Sequence, residues 1–190
     1  ACRSCPRLVE WREIVGAVKR RAFRDENYWA KPVPGFGDPA ARVLVLGLAP
    51  GAHGSNRTGR MFTGDDSGNF LYPALHRAGF ANQPHAQSIN DGLVLNQIFI
   101  SAVCRCVPPD NNPTPGEIKT CQKYLDLELV LLPQLVGIVA LGKIAFDAIQ
   151  RVYATPVDTQ GTARFGHGVL VDGGDEKPWI LGSYHPSRQN

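Results

Sequence analysis

Short apolar runs that alternate with helical patterns are the feature that most restricts how this chain can fold. Strands are predicted at residues 42–48, in LVLNQIFISAV ending near Val103, in GIVALG, and later in GVLVDG and WILGSYHP. Helices are predicted at residues 7–19, in FLYPALHRAG, from Thr114 onward, and in KIAFDAIQRVY. Strands alternating with helices favour a parallel or mixed sheet covered on both faces. The sequence therefore predicts a three-layer α/β fold around a central, mostly parallel sheet.

The sharpest helix boundary lies in TPGEIKTCQKYLDLELVLLP. Thr114 can cap this helix, Pro115 suits its first position, and Glu117 completes a capping box. Gly79 fits the C-terminal end of the helix in FLYPALHRAG, which is predicted despite Pro73.

A long Gly-rich segment, GLAPGAHGSNRTGRMFTGDDSG, follows the first predicted strand. A polar loop of this length inside a compact domain is usually functional or disordered. Its glycines let the backbone approach a ligand closely. It matches neither a Walker loop nor G-x-G-x-x-G. Both this segment and SYHPSRQN follow the carboxyl ends of strands, where α/β sheets bind ligands.

A purely structural interpretation of the same residues stays open at this point. The glycines could serve turns in an ordered surface loop. Asp65 and Asp66 could be turn or capping residues, Phe62 could anchor the loop in the core, and His185 could be a hydrogen-bonded histidine at a strand end.

The five cysteines fall in two groups, CRSC at the start and CRCVPPDNNPTPGEIKTC later. An odd count without a recognisable secretory signal argues against a disulfide framework. Four thiolates from the two segments could hold zinc or an iron–sulfur cluster. Alternatively, Cys104 and Cys121 are small buried apolar residues.

Length and charge limit the remaining possibilities. A chain of 190 residues is expected to form a single domain, residues 1–190. A net charge of +3 is compatible with nucleic-acid binding without being evidence for it. The apolar runs are too short to span a bilayer, so no membrane association is expected.

Together, GLAPGAHGSNRTGRMFTGDDSG, FLYPAL, CRCVPP…PTP…C, VALG and SYHPSRQN closely resemble the family five uracil-DNA glycosylases. The resemblance runs from CRSC to SRQN, and the four-cysteine layout is shared with the sister family four. It implies a sheet of mostly parallel strands flanked by helices, and a 4Fe–4S cluster distant from the catalytic centre. The implied cluster ligands are Cys2, Cys5, Cys106 and Cys121, whereas Cys104 is expected to be structural.

The resemblance also implies a catalytic pair. The sister family carries an acidic residue in a GEAPG-like string, and Leu48 stands at that position here. The water-activating carboxylate is therefore expected further along the loop, at Asp65, with Asp66 as the alternative. His185, in HPS, matches the histidine that contacts the uracil carbonyl.

Further residues are assigned by the same resemblance. Phe62 matches the aromatic that stacks on the extruded base. The sister family's base-reading asparagine is replaced by Ala102, which predicts a pocket that discriminates bases less strictly. The expected substrate-binding residues are Phe62, Gly47, Ala49, Gly51, His53 and Asn111, and the expected DNA contacts are Ser187 and Arg188.

The implied function is DNA repair: the protein would flip out uracil, and other deaminated bases, and hydrolyse the N-glycosidic bond to leave an abasic site. The expected partner is uracil-containing DNA, double- or single-stranded, bound by a monomer in the bacterial or archaeal cytoplasm at the nucleoid. Two alternatives stay open: a non-catalytic, metal-stabilised nucleic-acid binding module, and a nucleotide-phosphate enzyme that uses the Gly-rich loop.

Overall fold

A six-stranded sheet forms the centre of the computed structural model, which describes residues 1–153 and 163–187. The strands are β1 Phe36–Gly37, β2 Val43–Gly47, β3 Ile98–Ala102, β4 Gly137–Leu141, β5 Leu170–Val171 and β6 Trp179–Ser183. Their order is β1-β3-β2-β4-β6-β5. The four inner strands are parallel, and each short edge strand is antiparallel to its neighbour. The carboxyl ends of the inner strands therefore meet at one edge of the sheet.

Five α-helices connect or flank these strands within the described ranges. They are α1 Pro6–Val18, α2 Ser55–Thr58, α3 Asp66–Arg77, α4 Pro115–Leu131 and α5 Lys143–Tyr153. Two single 3₁₀ turns lie at Arg21–Phe23 and Pro109–Asn111. In the part of the chain that the structure describes, no helix combines the length and apolar character needed to cross a membrane.

The sheet separates two hydrophobic cores, because successive side chains of a strand point to opposite faces. On one face, Val45 of β2 packs in a cluster with Tyr72 of α3. On the other, Leu44 of β2 packs in a cluster with Leu125 of α4 and Phe146 of α5. The predicted three-layer α/β fold with a mostly parallel sheet is confirmed.

The predicted capping box of α4 is present in full. The Glu117 amide donates to Thr114 Oγ1 at 3.2 Å, and the Thr114 amide donates to the Glu117 carboxylate at 2.7 Å. Gly79, with φ of +80°, follows α3 as its sequence position predicted. A pair of side-chain caps thus marks the start of α4, and a glycine in the left-handed conformation follows the end of α3.

Three boundaries differ from the sequence prediction. The strand predicted from LVLNQIFISAV begins only at Ile98. Helix α3 begins at Asp66, before FLYPALHRAG, because Asp65 caps it by accepting a hydrogen bond from the Gly68 amide. The Gly-rich segment contains the one-turn helix α2. Gly59, with φ of +82°, caps its C-terminal end. Elements this short carry no periodicity from which to predict them.

Candidate active site

A cavity of about 1060 Å³ opens at the carboxyl edge of the parallel strands. The predicted site residues that line it are Ala49, Gly51, His53, Phe62, Asp65, Asn111, His185 and Ser187. Leu48 and Asp66 line it as well. Arg188 lies outside the described residues. The structure therefore brings together residues that are up to about 140 positions apart in the chain (Ala49 to Ser187).

Asp65 presents its two carboxylate oxygens to different surroundings. Oδ1 accepts the capping hydrogen bond from the Gly68 amide at 2.9 Å. Oδ2 faces Gly51 and Gly54, and a β-carbon at Gly54 would overlap the carboxylate. Burial raises the pKa of Asp65, although the Gly68 amide and the neighbouring His185 partly offset that effect. The structural interpretation, a capping residue, is thus correct for one oxygen and leaves the other facing the cavity.

Asp66 occupies a different environment from its neighbour. It is the first residue of α3 and is exposed, whereas Asp65 is only partly accessible. An exposed carboxylate keeps its own hydration, so it is less able to act in a water-depleted pocket.

His185 enters the cavity just beyond β6. Its ring centroid lies 6.1 Å from that of Phe62, with an angle of 35° between the planes. Burial lowers the pKa of His185, while the Asp65 carboxylate opposes the change. The imidazole is therefore neutral near pH 7, with one N–H donor and one acceptor.

Phe62 stands in a strained backbone conformation that several contacts maintain. Its φ is +53°, a region that bulky residues rarely adopt. Its amide donates to Ser55 Oγ at 3.0 Å, and the preceding Met61 carbonyl accepts from Tyr72 Oη at 2.8 Å. The side chain is 8% exposed and belongs to the core. Phe62 therefore anchors the loop and forms a wall of the cavity at once.

An ion pair between Arg60 and Asp91 stabilises the strained turn at Phe62. Arg60 donates to both carboxylate oxygens of Asp91, at 2.9 and 2.7 Å, and to Thr63 Oγ1 at 3.0 Å. Although burial opposes ionisation, hydrogen bonds from Arg60 and from three backbone amides hold the pKa of Asp91 well below its usual range. Two hydrogen bonds between these largely buried groups fix the orientation of the Arg60 guanidinium and keep the Asp91 carboxylate charged. Neither partner was predicted from the sequence.

Gly47, at the end of β2, lies behind Phe62. A β-carbon there would approach Phe62 Cζ to 2.8 Å, which is too close for van der Waals contact. The absent side chain thus makes room for the ring, so the predicted substrate role of Gly47 is indirect in this geometry.

We expect Gly47→Ala to displace the Phe62 ring and to reduce kcat/KM for the molecule that reacts in this cavity by up to roughly 10²-fold, since a misplacement of about 1 Å can cost that much. Gly116→Ala is the matched control, because Gly116 is exposed in α4 and its nearest neighbour would lie 4.0 Å away. Steady-state kinetics and thermal unfolding of both variants measure the effect. Equal kinetics for the two variants would contradict it.

His53 is held in place by Tyr28, which lies 25 positions earlier in the chain. Tyr28 Oη lies 3.0 Å from His53 Nδ1, and the two rings meet edge to face. Burial lowers the pKa of His53, and the nearby Arg20 and Arg57 lower it further. A neutral His53 therefore offers a hydrogen-bonding nitrogen to the cavity without adding charge.

Asn111 reaches the cavity from the turn that precedes α4. Asp110 and Asn111 both have positive φ, at +52° and +54°. Consecutive residues in this conformation carry strain, which clusters at functional sites. Ala102, by contrast, is 1% exposed in the core and is not among the described residues that line the cavity.

Several lining residues were missed by sequence reasoning. Arg20 and Phe23 reach the cavity from the segment after α1, and Gly142 and Lys143 reach it from the start of α5. The basic cluster KRRAFR and the GK pair after VAL were the available signals. Neither signal has a fixed spacing to the Gly-rich segment, so only the fold reveals the juxtaposition.

A family model matches most of the chain. Residues 34–190 match the model of the "Uracil DNA glycosylase superfamily". The chain belongs to this superfamily. It is 53% identical over 192 residues to the "Type-5 uracil-DNA glycosylase" of Mycobacterium tuberculosis, covering 100% of this chain and 70% of the relative. The type-5 enzyme of Thermus thermophilus is 52% identical over 193 residues, covering 100% of this chain and 84% of the relative.

A more distant group of the uracil-DNA glycosylase superfamily is similar as well. The "Type-4 uracil-DNA glycosylase" of Sulfurisphaera tokodaii is 35% identical over 135 residues, which are 69% of this chain and 52% of the relative. The predicted membership in family five is confirmed by the higher identity and full coverage of the type-5 relatives.

Away from the cavity, this uracil-DNA glycosylase superfamily member buries an arginine among its cysteines. Arg12 is 1% exposed. Its Nη1 donates to Cys106 Sγ at 3.0 Å and its Nη2 to the Cys2 carbonyl at 3.1 Å, while Nε has no hydrogen-bond partner. The nearest carboxylate atom, on Glu13, is 3.7 Å away on a side chain that is 44% exposed. A buried cation so placed favours negative charge on the sulfur atoms.

The four predicted ligand cysteines influence one another electrostatically. Burial raises the pKa of Cys5 and of Cys106, and the charges of Cys121 and Cys2 raise both further. Across residues 1–153 and 163–187, however, no three His, Cys, Asp or Glu side chains converge closely enough to hold one metal ion. Arg12, which donates to Cys106 Sγ and to the Cys2 carbonyl, links the two cysteine segments.

Cys104 differs from these four. It is 0% exposed, and its hydrogen bond to Cys121 lowers the pKa of Cys121 to about 7. The Arg105 amide also donates to Cys121 Sγ, at 3.3 Å. Cys104 lies among core residues, and Cys121 belongs to the same cluster, so both fit the open alternative of small buried residues.

Proposed function

We propose that this protein excises uracil from DNA in base repair, by hydrolysis of the N-glycosidic bond. The observation that carries the proposal is that Asp65 and His185 face one cavity and perturb each other's pKa beside Phe62. Similarity to type-5 uracil-DNA glycosylases over the full chain supports the same substrate.

The proposed reaction needs a carboxylate near the sugar. As the bond from C1′ to the base breaks, its electron pair leaves with the base and positive charge develops on the sugar. Asp65 Oδ2, which faces Gly51 and Gly54, orients a water molecule and accepts its proton as the water oxygen bonds to C1′. Leu48 lines the same cavity and has no group that could do this.

The departing base needs a hydrogen-bond donor. A neutral His185 can donate its N–H to a uracil carbonyl and stabilise the anion that leaves. Phe62 stacks on the base, and amides of the Gly-rich segment, including those of Ala49 and Gly51, contact its edge. The target must leave the duplex for these contacts to form, so the base is flipped into the cavity.

The wider setting is part of the same proposal. Residues 1–190 act as one domain and as a monomer on double- or single-stranded DNA, in the bacterial or archaeal cytoplasm. Ser187, which lines the cavity, and Arg188 contact the DNA. Asn111 adds a polar contact to the base.

We further propose that the protein releases at least one deaminated purine besides uracil. Ala102 offers no amide to the base edge, and a cavity of about 1060 Å³ leaves room for a larger ring. Where no side-chain amide has to be paired with the base edge, a different base leaves no polar group unpaired there and is rejected only weakly. Excess enzyme with duplexes carrying hypoxanthine or xanthine measures this. Strict release of uracil alone would contradict it.

The test of the proposed activity is multiple-turnover release of uracil from a duplex with a single uracil, using single-stranded DNA and an undamaged duplex as controls. Catalytic release separates a glycosylase from a binding module, which would retain DNA without turnover. The absence of free uracil at excess substrate would favour the binding module.

We also propose that Cys2, Cys5, Cys106 and Cys121 hold a 4Fe–4S cluster. The buried Arg12, whose Nη1 already donates to Cys106, supplies the kind of donor that cluster sulfurs accept. Four thiolates can also bind zinc, with bonds of about 2.3 Å, and the resemblance to family five is what favours the cluster. When bound, it links the segment before α1 to the start of α4, a structural role.

A further inference from the structure

The segment between α1 and β1 is strongly basic where it meets the active-site loop. Between positions 19 and 31 it carries Lys19, Arg20, Arg21, Arg24 and Lys31. Its two acidic residues are at positions 25 and 26. No predicted function used this segment.

This basic segment is docked rigidly on α2. The Trp29 amide donates to the Arg57 carbonyl at 2.9 Å, and the Ala30 amide donates to the Asn56 carbonyl at 3.0 Å. The Arg57 guanidinium also lies over the Phe23 ring, 3.9 Å from its centroid. These contacts hold the backbone of the segment, at Phe23 and at Trp29 and Ala30, against α2.

A second cavity, of about 570 Å³, lies along this segment. It adjoins the cavity of about 1060 Å³ described above, which we call the base cavity. The second cavity is lined by Arg20, Arg21, Ala22, Arg24 and Asp25. Arg20 lines the base cavity as well, so its side chain adjoins both cavities. We call the second cavity the arginine groove.

The arginines of the groove are available to a ligand. All three are exposed. Arg24 lies 3.5 Å from Asp25, but both side chains are more than 70% exposed, and an ion pair in such a setting contributes little. An anion with several oxygen atoms could replace that contact with stronger, charge-assisted hydrogen bonds.

We propose that the arginine groove binds backbone phosphates of the DNA strand next to the flipped nucleotide. The proposal rests on the proposed function, because Arg20 places the groove next to the cavity that would receive the base. Arginine side chains commonly position a protein on DNA through phosphate oxygens, without reading sequence. The groove would hold the strand while the base occupies the cavity.

The test is the double variant Arg21→Gln/Arg24→Gln, which leaves the cavity residues intact. Arg42→Gln/Arg77→Gln is the matched control, since it removes the same charge. Arg42 precedes β2 at the opposite edge of the sheet, and Arg77 ends α3, about 12 Å along the helix from Asn69, the last α3 residue that lines the cavity.

The readout is the affinity for an undamaged duplex as a function of salt concentration. Losing two phosphate contacts should reduce the slope of log K against log salt by about 1.8. Between 50 and 200 mM salt, the wild type should then lose about tenfold more affinity than the groove variant. The single-turnover rate at saturating enzyme should stay unchanged.

The outcomes separate the groove from the catalytic proposal, because undamaged DNA requires no chemistry. An unchanged slope of log K against log salt in the groove variant would overturn the proposed phosphate site. An equal reduction of the slope in the Arg42/Arg77 control would overturn it as well. A reduced slope in a protein that releases no uracil would support the groove and refute the proposed reaction.

Discussion

Replacing Asp65 with asparagine is expected to slow single-turnover uracil release by roughly 10²–10⁴-fold, the usual contribution of a general base. An asparagine oxygen can still cap α3 by accepting from the Gly68 amide, so the fold should persist. Affinity for uracil-containing DNA should change little, because the carboxylate acts mainly as charge develops on the sugar. Rapid-quench assays and binding titrations measure the two quantities separately.

Two comparisons sharpen this expectation. Asp66→Asn should keep a near-normal rate, because that carboxylate is exposed at the start of α3. Asp65→Ala should lose the rate and also about 1 kcal/mol of stability, since it deletes the helix cap. A normal rate for Asp65→Asn with a slow Asp66→Asn would move the assignment by one residue. Normal rates for both would remove this loop as the source of the base.

The raised pKa of Asp65 has consequences for pH dependence. The rate should fall on acidification at a higher pH than an ordinary aspartate would give, because protonation removes the base. Stability should behave in the opposite sense: the folded state binds this proton more tightly than the unfolded state, so ionisation of Asp65 costs stability as the pH rises. Asp65→Asn should therefore unfold at a temperature equal to or above that of the wild type at neutral pH.

Removing a cluster ligand is the second change with a large expected effect. Cys106→Ala should abolish the brown colour and broad visible absorption expected of anaerobically purified protein, and most of the soluble protein should be lost. Arg12 donates to Cys106 and is 1% exposed, so loss of the thiolate and cluster would leave a buried cation without its counter-charge. Iron and sulfide analysis, with visible spectra, provides a readout independent of activity.

Cys104→Ala is the matched control for the cluster. It truncates another buried cysteine close to Cys121 but should retain about four iron atoms per chain. A colourless wild-type protein with stoichiometric zinc would contradict the iron assignment. Loss of iron from Cys104→Ala, with Cys106→Ala still brown, would show that the ligand set is wrong.

The fold could be predicted largely because its elements are long enough to show periodicity and carry side-chain caps. The Thr114–Glu117 capping box fixed the start of α4, and four of the predicted strands form the parallel centre of the sheet. Of the elements of two to four residues, β5 was predicted from GVLVDG, whereas β1 and α2 have no apolar pattern long enough to predict them. Their formation depends on tertiary pairing, as in the antiparallel contact between β1 and β3.

The site residues could be predicted only through a family resemblance. Spacing alone left Asp65, Phe62 and His185 with ordinary structural interpretations. Their convergence depends on parallel strands that deliver distant segments to one edge of the sheet. The ion pair of Arg60 with Asp91 joins two loops and could not be predicted, because no local pattern records a contact across 31 positions.

The most direct test of the central claim follows both products of one turnover on a duplex with a single uracil. Wild-type protein in excess over DNA is quenched over time, and free base and abasic strand are quantified by mass spectrometry. We predict that uracil and abasic sites appear in equal amounts and at one rate, and that Asp65→Asn slows both together by roughly 10²-fold or more. Intact strands with no free uracil, or a rate that Asp65→Asn leaves unchanged, would contradict the account.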